Sequence, residues 1–190
     1  MQNQRVHLSV TLLFTTGKGY GLKLMSVNNH KNRPSNVPVL RRAAMDFLAR
    51  REHSIYELKQ KLFTKYPDST LRDLQTALDE LRRENLQSDR RFTECYVRYR
   101  KSKGFAYKHI RADLFSRGVH TDIVNDYLFS EDPDWQVMAN SIIEKKIPNS
   151  NEIVYGSKQH RRLVRFLESR GFLLCEIQEA VYRNLKFIST

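Results

Sequence analysis

The residues of this sequence that could do chemistry are mostly basic, and they concentrate in one stretch. Between Arg90 and Gly118 there are nine Lys or Arg residues and two acidic ones, in a chain of net charge +12. Clustered guanidinium and ammonium groups bind phosphates or acidic protein surfaces. The sequence therefore predicts a polyanionic or acidic partner, with a merely solvated basic face as the alternative.

Two groups of basic residues are the predicted contacts with a partner or with DNA. The first follows Asp89 and comprises Arg91, Arg98, Arg100, Lys101, Lys103, Lys108, Arg111 and Arg117. Helical spacing places Arg91, Arg98 and Lys101 on one stripe that faces solvent. The second group comprises Lys158, Arg161, Arg162 and Arg165.

Tyrosines and cysteines are interspersed with these cations. Tyr96, Tyr99 and Tyr107 could stack on bases, but they fall on apolar helix faces, and we expect them to pack in the core. Cys95 and Cys175 lack metal-ligand spacing and are predicted to be packing residues in a reducing compartment. No apolar run approaches the roughly 20 residues of a membrane span, so we expect a cytoplasmic protein.

Patterns for catalysis, metals or cofactors are missing. The six histidines are scattered, and no serine stands in a nucleophile-elbow pattern. The "GKGYG" segment at Gly17 to Gly21 lacks the Gly-Lys-Ser/Thr ending of a phosphate loop. We therefore expect no enzyme and no cofactor.

The elements that must position the cations are helices from Leu40 onward. The first is predicted by apolar residues at i, i+3, i+4, i+7 and i+8: Leu40, Ala43, Ala44, Phe47 and Leu48. Ser54 with Glu57 predicts a capping box for the second. Further helices are predicted from Thr70 to Arg83, after an Asp89 cap, from Tyr107, from Thr121, from Trp135 to Lys146, and around Leu163 and Leu174.

One phrase occurs three times: "REHSIYELKQKL" from Arg51, "KGFAYKHIRADL" from Lys103 and "RGFLLCEIQEAV" from Arg170. In this register Leu58, Ile110 and Ile177 correspond. So do Leu62, Leu114 and Val181, and so do Phe47, Tyr99 and Phe166. Because short helical units must stack to bury their faces, we predict an all-α fold of tandem three-helix repeats in an elongated, curved array.

The repeats also predict turns. Glycine takes the left-handed conformation that ends a helix, and an aromatic residue behind it can anchor the next helix. The predicted structural turn residues are Gly104, Phe105, Gly118, Gly171 and Phe172. The first copy departs from this pattern with Glu52 and His53, so its turn should depend on the Ser54 cap.

Four segments follow from these patterns. Residues 1–39 form a short extension that is β-leaning or disordered, with three glycines and no acidic residue. Repeats are predicted over residues 40–87, 88–131 and 132–190.

The motifs of these segments resemble one known family. The stretch "SDRRFTECYVRYRKSKGFAYKHIRADLFSRGV", Ser88 to Val119, resembles the middle repeat of the RecX regulatory proteins. "ARREHSIYELKQKL" from Ala49 is similar to the first repeat of that family, and "RRLVRFLESRGFLLCEIQEAVYR" from Arg161 to its third. The resemblance covers about Leu40 to Leu185.

The resemblance implies a regulator of the RecA recombinase in recombination, DNA repair and the SOS response. Such a protein would bind the RecA filament on single-stranded DNA and damp filament growth, ATP hydrolysis and strand exchange, and we expect a monomer. The alternative is a helical module that binds DNA directly, without the recombinase, through a helix pair such as Tyr99 to Leu114.

Overall fold

The computed structural model of the chain describes residues 36–147 and 152–188. Within these ranges the helices are α1 (Val37–Leu48), α2 (Ile55–Lys65), α3 (Leu71–Arg83), α4 (Asp89–Ser102), α5 (Tyr107–Ser116), α6 (Thr121–Tyr127), α7 (Asp134–Lys146), α8 (Lys158–Arg170) and α9 (Leu174–Asn184). The predicted all-α fold is confirmed. Most of the predicted N-terminal extension, with its GKGYG segment, lies outside the described residues.

Two short strands join the helices and were missed by the sequence analysis. Strand β1 (Glu152–Val154) pairs in parallel with β2 (Lys186–Ile188), and Ile153 lies opposite Phe187. Three-residue strands are too short for a period-2 pattern to distinguish them from loops. The sequence analysis names no element between the helix that ends at Lys146 and the helix around Leu163, and β1 lies in that interval.

Helix starts are set by short polar side chains. Ser54 Oγ accepts the Glu57 N–H (3.1 Å), and Thr70 Oγ1 accepts the Asp73 N–H (3.0 Å), as N-caps do. The cap of α4 is Ser88 rather than the predicted Asp89. Helix α1 begins three residues before Leu40, because Pro38 fits in a first helical turn, where its missing N–H breaks no hydrogen bond.

The buried side chains form two separate apolar clusters. One belongs to α1–α3, and the other runs through α4–α9 around Trp135, Phe92 and Phe172. Two of the three aligned sets from the sequence repeat are buried throughout: Leu58, Ile110 and Ile177, and Leu62, Leu114 and Val181. The helix pairs therefore use equivalent positions for their cores.

Several packing predictions on α4 and α9 are wrong. Cys95 and Cys175 are exposed, and Tyr99 is 55% exposed. The buried face of α4 is instead rotated toward Thr93 and Val97. The apolar pattern did not identify this face because threonine counts as a polar residue. In the fold Thr93 can be buried because its hydroxyl donates to the Asp89 carbonyl (2.7 Å).

The predicted left-handed glycines are confirmed, with φ of +74° at Gly104, +70° at Gly118 and +92° at Gly171. Two of them also allow a close approach between helix pairs. A Cβ on Gly171 would lie 2.3 Å from the backbone nitrogen of His109, and one on Gly118 would lie 2.7 Å from Cβ of Tyr56. Both turns therefore need glycine for space as well as for conformation.

The α8–α9 turn uses this approach to cap α5. The Ala106 N–H donates to the Arg170 carbonyl (2.7 Å) and the Lys108 N–H to the Gly171 carbonyl (3.0 Å). Helix α5 has no side-chain cap of its own, so these carbonyls satisfy N–H groups that a helix start leaves without partners. Phe172, predicted to anchor the next helix, is buried in the core beside this turn.

The α5–α6 turn docks on the start of α2 in a related way. Ser54 Oγ donates to the Arg117 carbonyl (2.7 Å) while it caps α2. The neighbouring Gly118 lies against Tyr56. We call α1–α3, α4–α6 and α7–α9 the first, second and third helix triplets. The Ser54 cap that the sequence predicted thus also joins α2 to the second triplet.

Replacing Gly171 by Ala tests whether space, beyond backbone conformation, requires glycine at this turn. A left-handed alanine alone costs about 1–2 kcal/mol, and overpacking against α5 adds about 1–3 kcal/mol. The matched control is Gly156→Ala, because Gly156 has φ of +73° but nothing within 4 Å of an added Cβ. Urea unfolding should show the larger loss for Gly171→Ala. Equal losses would contradict the close approach.

Candidate partner-binding surface

A polar junction joins the α1–α3 cluster to the rest of the fold, and it engages two of the predicted contact residues. Arg117 Nη1 donates to Glu57 Oε1 (2.7 Å), and Arg91 Nε donates to Glu52 Oε1 (2.9 Å). The Arg91 guanidinium also reaches the Asn85 and Leu86 carbonyls. The structure thus places Arg91 and Arg117 in contacts within the fold.

Glu57 is the centre of this junction. Its carboxylate accepts from Arg117, Arg51 (3.0 Å) and His53 (2.9 Å), and only 11% of its side chain is exposed. The predicted capping box is therefore half formed, because this carboxylate bonds to side chains while Ser54 still caps α2.

Glu57 and His53 both have lowered pKa values. Burial opposes ionisation of Glu57, but hydrogen bonds from His53 and Arg51, together with nearby arginine charges, outweigh it and lower the Glu57 pKa. Burial is the main cause of the lowered His53 pKa. Groups with lowered folded-state pKa values stabilise a fold above their ordinary pKa, and this contribution is lost as pH falls.

Glu57→Gln should therefore destabilise the fold at pH 7, by about 1–3 kcal/mol for lost charged hydrogen bonds. The difference from wild type should shrink below about pH 4, where protonation removes the same charge. Chemical unfolding across pH measures this. The control is Glu94→Gln, which removes an exposed pair with Arg98 at 3.5 Å and should change stability by less than about 1 kcal/mol. A pH-independent difference would contradict the assignment.

Arg100 is held inside a stack around Phe105. Its Nη2 lies 2.8 Å from Asp113 Oδ2, its guanidinium carbon is 3.7 Å from the Phe105 ring centroid, and Arg170 covers the same ring at 4.4 Å. Arg170 also donates to the Lys103 carbonyl (3.0 Å). Phe105, predicted as a turn anchor, thus joins the α4–α5 turn to the α8–α9 turn.

Lys101 faces the start of α7 rather than solvent. Its ammonium nitrogen lies 2.5 Å from Asp132 and 3.1 Å from Asp134, and 4.3 Å from the Trp135 ring centroid. The side chain is only 21% exposed. Burial alone would lower the Lys101 pKa, but the two aspartates raise it. The predicted solvent stripe is therefore wrong for Lys101, whose partners lie over thirty residues away.

Lys101→Gln should lower the unfolding free energy by about 1–3 kcal/mol, because two carboxylates lose a charged donor. Lys103→Gln is the matched control, since Lys103 is exposed two residues away. It should change stability by less than about 0.5 kcal/mol. Thermal unfolding of the two variants distinguishes these roles, and equal melting temperatures would show that Lys101 is dispensable for folding.

The remaining predicted residues of the second triplet stay closer to solvent. Arg98 is exposed beside Glu94, Lys103 and Lys108 are exposed, and Arg111 lies half-buried with its guanidinium 4.7 Å from the Phe115 ring centroid. The first predicted group is therefore divided between contacts within the fold and exposed cations.

All four residues of the second predicted group are exposed. Helix α8 buries Leu163 and Leu167 and presents four exposed cations on its opposite side: Lys158, Arg161, Arg162 and Arg165. We call these four residues the α8 basic stripe. None of them forms an ion pair within the described residues, although Arg161 donates to the Gly156 carbonyl (2.6 Å).

Beside the stripe lies an aromatic groove that the sequence analysis missed. Its cavity of about 400 Å³ is lined by Tyr155, His160, Val164, Leu174, Tyr182 and Phe187 among others. Strands β1 and β2 bring Tyr155 close to Phe187, over thirty residues later. The one available signal was "EIVYG" with "LKFI", two short β-leaning segments.

Helix α5 is poorly placed to act as a recognition helix in the major groove of DNA. Recognition helices in the major groove contact bases with their N-terminal residues, and the first turn of α5 is covered by the α8–α9 turn.

Among the described residues, no group of three His, Cys, Asp or Glu side chains could hold a metal ion. The helices within those residues are too short or too polar to span a membrane.

Comparisons with known proteins decide the family. The regulatory protein RecX of Haemophilus influenzae strain PittEE is 33% identical over 141 residues, covering 74% of this chain and 91% of the relative. RecX of Chromohalobacter salexigens is 36% identical over 140 residues, covering 73% and 88%. This chain belongs to the RecX family of regulatory proteins. No protein-family model matches it.

Solved structures agree on the fold. The crystal structure of RecX from Lactobacillus salivarius has a TM-score of 0.64 at 19% identity, covering 78% of this chain and 96% of that one. A second RecX crystal structure has a TM-score of 0.63 at the same identity. Membership in a family of regulators agrees with the prediction that the chain is not an enzyme.

Proposed function

We propose that this RecX-family protein binds the RecA recombinase filament on single-stranded DNA and damps filament growth, ATP hydrolysis and strand exchange. The observation that carries the proposal is the α8 basic stripe, four exposed cations without ion pairs among the described residues. A cation without a partner can bind phosphate or carboxylate without first breaking an internal pair.

The stripe suits an extended anionic target. From Lys158 to Arg165 a helix rises about 10 Å at about 1.5 Å per residue, so the stripe places four charges within the length of a few phosphates or acidic side chains. Such contacts raise association rates and weaken with salt. Arg98, Lys103 and Lys108 are the proposed additional contacts on the second triplet.

Arg91, Arg100, Lys101, Arg111 and Arg117 have a different proposed role. Four of them are ion-paired within the fold, and Arg111 lies over Phe115. We assign them to positioning the exposed cations. Their substitution would lower inhibition through loss of folding rather than through loss of a contact.

The test is the combined charge reversal Arg162→Glu and Arg165→Glu. We expect it to weaken inhibition of the DNA-stimulated ATPase of RecA by about tenfold or more, because losing close charge pairs at an interface costs about 2–5 kcal/mol. The measurement is the ATPase rate as a function of added RecX-family protein. Unchanged inhibition by a folded variant would contradict the role of the stripe.

A matched control keeps the change in net charge the same. Lys59→Glu with Arg72→Glu reverses two exposed cations of the first triplet and should leave inhibition within about twofold. Binding of each variant to bare duplex DNA is measured in parallel. Tight duplex binding with no effect on RecA would favour the alternative, a DNA-binding module that acts without the recombinase.

A further inference from the structure

The aromatic groove of the third triplet presents rings that the fold does not need to bury. Tyr155 is 75% exposed, Tyr182 is 79% exposed and Phe187 is 40% exposed. Neither tyrosine hydroxyl makes a hydrogen bond within the described residues. Large rings at this exposure lose the stabilisation that burial would give them, which marks the groove as a surface for a ligand or partner.

The rings are held in place although they are exposed. The Tyr155 ring lies 5.0 Å from the His160 ring and 5.4 Å from the Phe187 ring, centroid to centroid. His160 is itself oriented by the Gly156 N–H, which donates to its Nδ1 (3.2 Å). Gly156, with φ of +73°, forms the turn that follows Tyr155, and the Tyr155 side chain stays exposed beside it.

The surroundings of the groove are basic. His160 and Val164 line the groove, and Arg161 and Arg165 follow them by one residue, about 100° around the helix. Lys158 follows Tyr155 by three residues. The acidic residue nearest along α9 to Tyr182 is Glu179, which is paired with Arg183. Aromatic rings beside unpaired cations match how single-stranded nucleic acids are bound.

We propose that this groove stacks unpaired bases of single-stranded DNA on Tyr155 and Tyr182, while the α8 basic stripe holds the adjacent phosphates. Bases in a duplex are stacked on each other and offer no free face, so the groove selects single strands over duplex. This inference deepens the proposed function by naming the ligand of the surface around α8, and it concerns binding to bare DNA.

A protein segment is the competing occupant, and the charges argue against it. A protein segment would need an apolar anchor for the rings and, for the neighbouring stripe, a run of acidic residues at the matching spacing. Each nucleotide of a nucleic acid supplies a base with a flat apolar face and a phosphate with a negative charge. The groove volume of about 400 Å³ is in the range of small-ligand sites.

The experiment uses the full chain without recombinase and a labelled thymidine strand of about 16 nucleotides. A strand of equal length with abasic sites keeps the phosphates and removes the bases. Fluorescence anisotropy should show that wild type binds the thymidine strand at least about tenfold more tightly. Tyr155→Ala with Tyr182→Ala should lose about ten- to a hundredfold on thymidine and nothing on abasic DNA.

Two controls separate stacking from folding. Tyr155→Phe keeps the ring and should keep the affinity, and Phe63→Ala removes an exposed ring of the first triplet and should have no effect. The salt dependence of binding should stay unchanged in the double variant, because its phosphate contacts remain. Melting curves confirm that each variant is folded.

Equal affinity of wild type for the thymidine and abasic strands would overturn the inference. So would a double variant that loses the same affinity for the abasic strand as for the thymidine strand. A double variant that binds thymidine normally but no longer inhibits RecA would show that the groove holds protein. That result would leave the proposed function standing. If the wild-type protein binds the thymidine strand as expected but has no effect on RecA, that result would contradict the proposed function and leave the inference about the groove standing.

Discussion

The fold depends on one constraint, the docking of a glycine turn onto the start of a helix in another pair. At Gly171 the turn supplies two carbonyl acceptors to α5, whose own sequence provides no side-chain cap. At Gly118 the preceding carbonyl accepts from Ser54, which caps α2. At Gly171 the turn carbonyls satisfy N–H groups at the helix start, and at Gly118 the carbonyl satisfies the hydroxyl of the serine that caps the helix. Without a Cβ, glycine lets the two backbones meet.

The basic residues of the chain divide into two classes according to whether carboxylates lie next to them in the fold. Helix α4 lies among carboxylates contributed by its neighbours: Glu52, Asp113, Asp126 and Asp132. Its cations neutralise those groups and stabilise the junctions between helix pairs. No carboxylate pairs with the α8 basic stripe within the described residues, which is why we propose the stripe as the main contact surface. A high local density of Lys and Arg therefore does not by itself identify cations that are free of ion pairs.

The features that could be predicted from the sequence are those set by residues close together in the chain, namely the helices and their turns. Apolar spacing gave each helix, and the requirement for a left-handed residue identified Gly104, Gly118 and Gly171 before any coordinates. Sequence could not predict the partner of a side chain across thirty or more residues, so Lys101 was assigned to solvent although Asp132 and Trp135 enclose it. The aromatic groove was missed for the same reason, because Tyr155 and Phe187 meet only through β1 and β2.

The two apolar clusters meet through charged and polar groups rather than through shared buried side chains. An apolar contact would tolerate sliding, whereas the carboxylate of Glu57 requires Arg51, His53 and Arg117 at fixed distances. The first triplet is thus oriented by directional bonds, which lose strength when Glu57 is protonated. Such directional junctions fix the angle between helix groups whose apolar clusters stay separate.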